Sequence, residues 1–247
     1  MPRVGKLAIL VAAMTSADGY YATRFRPDPN REKAWRHLAR HLSQYVPPQA
    51  TVLELGAGYC YFINRIHGAR RIAVDLGAHV SEAAAQGVEA VNADARVYLH
   101  TQPEASIDFV FASNFLEHFD WPDLDDMARQ ILRVLRPGGR LAVVQPNFRL
   151  NPGRYFDDYT HRAIFTDESL TDWLGAHGFL VRRCEPRFLP LTVKSRAGAL
   201  TALMPLYLRS PWRPFAGQMF VLAERPAAGG SSPRKSDASV ASQRDTE

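Results

Sequence analysis

The chain has 247 residues, 46% of them apolar and 22% charged, with a formal net charge of +5. That is enough for one sizeable core, and the charge leans only weakly toward anionic partners, without the basic stripe that nucleic acid needs. Cys60 and Cys184 are the only cysteines, so a disulfide framework and a cysteine zinc site are excluded and a reducing, cytoplasmic setting is the plain expectation.

The first residues, MPRVGKLAILVAAMTSADGYY, place an apolar run from Leu7 to Met14 behind Arg3 and Lys6. The run is too short to span a bilayer and no clear small-x-small cleavage site follows, so residues 1–29 read as an N-terminal extension. NREKAWRHLARHLSQYVPP then sets Trp35, Leu38, Ala39, Leu42 and Val46 on one stripe of a helix, with Asn30 able to cap it and Pro47-Pro48 to stop it.

From Thr51 the pattern alternates. TVLEL reads as a strand, followed by a tight turn at Gly56 and Gly58 and then a helix. RIAVDL is a second strand, HVSEAAAQ a helix, GVEAVNAD a third strand and IDFVFASN a fourth. DLDDMARQILRVLRPGG is an amphipathic helix with Leu124, Met127, Ile131, Val134 and Leu135 inward, ended by Pro137 and Gly138-Gly139. RLAVVQPN is a fifth strand. TDESLTDWLGAHGF is a helix capped by Thr166, and LVRRCEPRFLP and QMFVLAER are two late strands. From Pro226 onward the chain is small and polar, the composition of a disordered tail.

Short apolar strands alternating with helices imply an α/β, Rossmann-like fold: one domain over residues 30–225, with a seven-stranded, mainly parallel sheet and helices on both faces. In such sheets the carboxyl ends of the parallel strands share one edge, where ligands bind.

Gly56 and Gly58 sit at that edge directly after the first strand, where a missing Cβ lets a ligand approach the backbone. Asp75 ends the second strand, where an acid can take both hydroxyls of a ribose. A dinucleotide fingerprint needs a third glycine at the position occupied here by Tyr61, and no Gly-Lys-Ser/Thr follows for a phosphate loop. A nucleoside without pyrophosphate fits better.

VLELGAGYC, AVD, NADA, FASNFLEHF and LRPGGRLAVVQPN stand in the order and spacing of class I methyltransferases that use S-adenosylmethionine (SAM). Over roughly residues 50–185 the chain resembles that family, and LEHF and LRPGG resemble its type 11 subgroup. The resemblance implies SAM as cofactor. Glu54, Gly56 and Gly58 would form the first motif, Asp75 would hold the ribose, Asp94 would lie by the adenine amino group, and Asn114 would lie near the methionine moiety. The family's usual third glycine is Cys60 here.

The sulfonium methyl is already electrophilic, so acceptor-side residues must orient the acceptor and take up a proton where one is lost. His118 after the fourth strand, and His161 after the fifth, are the candidate bases; Asp157 would orient His161 if that stretch were helical. No metal site is expected of Asp157 and His161, since two ligands are too few and the adjacent Asp157 and Asp158 diverge.

Residues 187–213 carry Arg187, Lys194, Arg196, Arg209 and Arg213 without an acid, among Leu, Met, Tyr and Trp. This insert reads as a helix pair closing the sheet edge or as a lid over an anionic, partly apolar acceptor, in peripheral contact with a membrane. The acceptor is thus expected among small molecules, glycans or lipid-linked compounds. Readings of other kinds are a nicotinamide-dependent reductase or epimerase, and a non-catalytic partner protein of the same fold.

Overall fold

The computed structural model describes residues 26–190 and 202–227, with Gly19 and Tyr21 from the preceding segment. Leu7–Met14, Lys194, Arg196 and nearly all of the polar tail lie outside the described residues, so the readings made of them are expectations only.

Seven strands form one sheet in the order β3-β2-β1-β4-β5-β7-β6. They are β1 (Thr51–Leu55), β2 (Arg70–Asp75), β3 (Val88–Asn92), β4 (Ile107–Ser113), β5 (Leu135–Pro146), β6 (Leu180–Pro190) and β7 (Ala216–Glu224). β1 to β5 run parallel, and β7 is antiparallel to both β5 and β6. The mainly parallel, Rossmann-like sheet expected from the alternation is the one observed.

The central strands β1, β2, β4, β5 and β7 are buried on both faces because they are apolar at successive positions, whereas of the edge strands β3 is partly buried and β6 mostly exposed. Leu53, Val110, Met219 and Val221 face one core; Val52, Phe109, Phe111 and Phe220 face the other. The first core is covered by α3 (Ala95–Thr101), α4 (Trp121–Val134) and α5 (Asp167–Ala176). The second is covered by α1 (Pro29–Leu42) and, across the insert, α6 (Met204–Arg209), with a single-turn α2 (Val80–Ala83) beside β3. On α4 the stripe Leu124, Met127, Ile131 and Val134 is fully buried, as its spacing requires.

Three local expectations change. α1 is capped by Asp28, whose carboxylate accepts the Asn30 N–H at 2.8 Å, so Asn30 lies inside the first turn. HVSEAAAQ forms only the one turn of α2. The segment after the glycine turn is no regular helix either; it runs through turns into a 3-10 segment, Ile63–Arg65. Its reason is local: Cys60 has φ +56°, which breaks a right-handed helix at its start, and the Ile63 N–H is taken by a side chain.

The LRPGG stretch belongs to β5 as an irregular entry. Gly138 N–H donates to the Arg225 carbonyl at 2.9 Å, and Arg225 N–H to Gly139 at 2.8 Å. The Arg225 guanidinium meets the carbonyls of Leu132, Arg133 and Leu135 at 3.1, 2.8 and 2.7 Å. A cation thus satisfies the carbonyl end of α4, where the helix dipole favours one.

Candidate active site

The strand order reverses between β1 and β4, and the residues expected to bind a ligand collect at that switch point. The turn after β1 is left-handed at alternate residues: φ is +65° at Gly56, +52° at Gly58 and +56° at Cys60. At Gly56 a Cβ would fall 2.4 Å from the Phe115 ring. Cys60 takes the third left-handed position at some strain and packs its thiol into the core, where burial, then Glu54 and Asp75, push it up to about 12.

Glu54 projects from β1 beneath this turn, and its Oε2 accepts the Ile63 N–H at 2.9 Å. Burial raises its carboxyl well above the usual range, Asp75 adds to this, and the Ile63 hydrogen bond opposes it. Asp75 is also buried. Its Oδ2 accepts Gly58 N–H at 2.8 Å, and its Oδ1 accepts Gly77 N–H at 2.7 Å and the Tyr21 hydroxyl at 2.8 Å. The acid at the end of β2 therefore clamps the glycine turn and points its oxygens at the pocket rim.

Asp94 caps α3 through the Arg96 N–H at 2.9 Å and is gripped by the Arg96 guanidinium, which also pairs with Asp123. Asn114 has φ +47°, a conformation asparagine tolerates, as the chain leaves β4; its N–H donates to Val144 at 2.8 Å.

Beyond Asn114 the acceptor side is assembled from two connections. The Glu117 carbonyl accepts Arg162 N–H at 2.8 Å and Ala163 N–H at 3.2 Å, which pins the loop after β5 onto the loop after β4. His118 and His161 then lie with ring centroids 5.1 Å apart. Thr160 Oγ1 donates to Asp158 Oδ1 at 2.6 Å and lies 2.9 Å from His118 Nδ1. With its one proton on Asp158, the threonine oxygen is placed to accept from His118 Nδ1, and the backbones of Thr160 and Asn114 also bond the ring. Burial lowers His118 to about 4, with His161 adding and Asp158 opposing, so it is neutral near pH 7.

Glu117 is wholly buried beside them. Neither carboxylate oxygen has a donor in hydrogen-bonding geometry. Burial raises it to about 8, the backbone N–H groups of Glu117 and Phe115 offsetting part of this and Asp158 adding to it. Its Oε1 is 4.0 Å from His161 Nε2.

Asp157 does not join His161 as a helical pair. The stretch is a 3-10 segment ending at Asp157, which pairs with Arg154 at 3.3 Å. Asp158, through Thr160, occupies the orienting place. Nothing in DDYTHR distinguishes these two acids before folding; Tyr21, Thr160 and the buried state of Glu117 likewise carry no local signal.

One cavity of about 810 Å³ joins both halves, with Gly56, Asp75, Asn114, His118, Tyr155 and His161 in its wall. Its size admits a nucleoside and a small second ligand. Gly56, Gly58 and Asp75 line one end of this cavity, with the Phe115 ring against Gly56.

A family model for a methyltransferase domain matches residues 28–183. The chain belongs to the methyltransferase domain family. It is 34% identical over 135 residues to trans-aconitate 2-methyltransferase of Azoarcus sp. (strain BH72), covering 51% of this chain and 49% of that protein. It is 33% identical over 168 residues to malonyl-[acyl-carrier protein] O-methyltransferase of Methylococcus capsulatus, covering 61% and 58%. The chain thus spans about half the length of the curated relatives it matches.

Among solved structures, a SAM-dependent methyltransferase from Archaeoglobus fulgidus superposes with TM-score 0.57 at 21% identity, covering 76% of this chain and 94% of that one. The Burkholderia thailandensis 1,6-didemethyltoxoflavin-N1-methyltransferase, crystallised with 1,6-didemethyltoxoflavin and S-adenosylhomocysteine, gives 0.59 at 18% identity, covering 92% of each. The methyltransferase domain of this chain has the class I fold of SAM-dependent enzymes.

Proposed function

We propose that the protein transfers a methyl group from SAM to a small-molecule acceptor bound over the carboxyl ends of β4 and β5. The observation that supports this most is the continuity of the cavity, which runs from the Asp75 carboxylate to the His118–His161 pair. SAM supplies an electrophilic methyl on its sulfonium. Asp75 would hold the ribose and the turn at Gly56 and Gly58 would accommodate the methionine part, with Asp94 toward the base and Asn114 near the methionine. The pinned loop 151–163 forms part of the cavity wall on the acceptor side, where it would limit access of water. His118, oriented by Thr160 and Asp158, accepts a proton on its imidazole from a hydroxyl acceptor.

Arg154 and Arg162 also line the cavity and favour an acceptor that carries a negative group. The relatives named for trans-aconitate and malonyl-[acyl-carrier protein] are in keeping with such an acceptor. A glycan or lipid-linked acceptor is a narrower form of the same reading, drawn from the insert. Leu203, Leu206, Trp212 and Phe215 are exposed there, beside Arg209, a composition suited to the surface of an anionic membrane. No helix among the described residues is long and apolar enough to cross a membrane.

Two measurements test the proposal. Thermal melts with S-adenosylhomocysteine or NADH should show stabilisation by the first only; stabilisation by NADH alone overturns it. Lysate fractions incubated with methyl-labelled SAM should gain label with the wild type and not with Asp75→Ala. Label in small metabolites supports the small-molecule reading, label in a lipid extract supports the membrane-side one, and label confined to protein overturns both.

A further inference from the structure

We propose that Glu117, His118 and His161 bind one divalent first-row transition-metal ion in the wall of the cavity, with open coordination positions facing the acceptor. One ligand atom from each of the three side chains lies within 4.8 Å of the others. Donors about 2.0–2.2 Å from a common ion sit some 3–4 Å apart, so closure asks for movements below about an ångström. Glu117 is the independent observation. It is fully buried, faces the pocket, and neither oxygen meets a donor in hydrogen-bonding geometry, the nearby N–H groups of Glu117 and Phe115 offsetting only part of the cost of burial. A carboxyl in that state is costly to keep unless something binds it.

The ligands are also held from behind, as metal-binding histidines are. The chain from Asp158 through Thr160 to His118 Nδ1 directs Nε2 away from the relay. The two N–H groups of Arg162 and Ala163 on the Glu117 carbonyl fix His161 relative to Glu117. Two imidazoles and one carboxylate suit zinc, iron, cobalt or manganese and not magnesium or calcium, which prefer an all-oxygen set. The sequence pattern hides this site because its ligands come from two loops, and the adjacent Asp157 and Asp158 are not among them.

The proposal goes beyond the methyl-transfer reading and alters only its proton step. With an ion bound, His118 is a ligand and not a base; the ion would hold the acceptor oxygen and lower its pKa, its proton passing to solvent as the acceptor binds. Its binding test does not require SAM.

The experiment uses the full chain, stripped with EDTA and dialysed. Calorimetric titration with Zn²⁺, and visible spectra with Co²⁺, should show one ion per chain. Glu117→Gln and His161→Ala each remove a direct ligand and should weaken binding by more than about 100-fold, beyond the range for an outer-shell partner. Cys184→Ser, which alters the exposed thiol, should leave it unchanged. No binding, or binding untouched by Glu117→Gln and His161→Ala, overturns the site. If those variants fail to fold, long-range ¹H–¹⁵N spectra of the wild type decide. Zn²⁺ should shift the ring nitrogens of His118 and His161 and not those of exposed His67, and the absence of those shifts overturns it. S-adenosylhomocysteine titrated into the same metal-free protein tests the methyl-transfer reading separately.

Discussion

The Tyr21 hydroxyl donates a 2.8 Å hydrogen bond to Asp75 Oδ1, on the carboxylate that a ribose would have to reach. The Tyr21 ring lies against His79, centroids 3.9 Å apart, and edge-on to Tyr59 at 6.1 Å. A segment N-terminal to the domain therefore places a hydroxyl where a sugar hydroxyl is expected. Tyr21→Phe keeps the ring and removes the competing donor. It should tighten S-adenosylhomocysteine binding by roughly threefold to tenfold, the worth of one hydrogen bond of this kind. Unchanged or weaker binding by calorimetry would mean that the hydroxyl is no competitor.

Asp75→Ala removes more than a ribose contact. Gly58 and Gly77 N–H groups both end on this carboxylate, and bonds to a charged acceptor are worth about 1.5–3 kcal/mol each. The variant should unfold at lower urea concentration, with a loss of about 2 kcal/mol or more, besides losing S-adenosylhomocysteine binding. Full stability with lost binding would show that the acid does not organise the turn.

Gly56→Ala should be damaging where most glycine replacements in loops are mild. It puts a Cβ at φ +65°, 2.4 Å from the Phe115 ring. A cost of about 2 kcal/mol follows from backbone strain together with overpacking. Phe115 also lines the cavity, so ligand binding should weaken at the same time. A variant with wild-type melting and wild-type affinity would contradict the placement of this turn.

Glu54 gives the pH dependence a sign. Burial first, and then Asp75, raise its carboxyl well above the ordinary value of 4.5. The folded chain keeps a proton that the unfolded chain loses above that pH. Its contribution to stability is therefore complete below pH 4.5 and falls as pH rises toward the folded-state pKa. Glu54→Gln cannot ionise, so urea midpoints measured from about pH 5 to about pH 8 should decline less steeply than in the wild type. Parallel slopes would remove Glu54 from the account.

The two thiols should separate cleanly. Cys184 is exposed, and Cys60 is fully buried with its thiol pushed up to about 12. Iodoacetamide should label one site per native chain, at Cys184, and both in urea, read by peptide mass spectrometry. Native labelling of Cys60 would show that the glycine turn opens readily.

Local chemistry made much of this protein readable from its residues. The alternation of apolar strands with the α4 stripe, the left-handed turn at Gly56 and Gly58, and the acid ending β2 each depend on neighbours a few positions away. A periodicity or a backbone requirement is written in consecutive letters. The helix expected after Gly58 misread the same stretch because a non-glycine residue, Cys60, takes a left-handed conformation, which residue type alone does not signal.

Pairing across the chain was settled only by folding. Thr160 meets His118, Tyr21 meets Asp75, and Glu117 is sealed beside His161 because two loops are stitched together through the Glu117 carbonyl. No spacing rule links such residues, since their approach depends on where the strand order reverses and on which loop covers the edge. The sequence by itself determined the sheet and the glycine turn and acid at its edge, because those depend on neighbouring residues; tertiary contacts decided what Asp75 and the loops after β4 and β5 meet there.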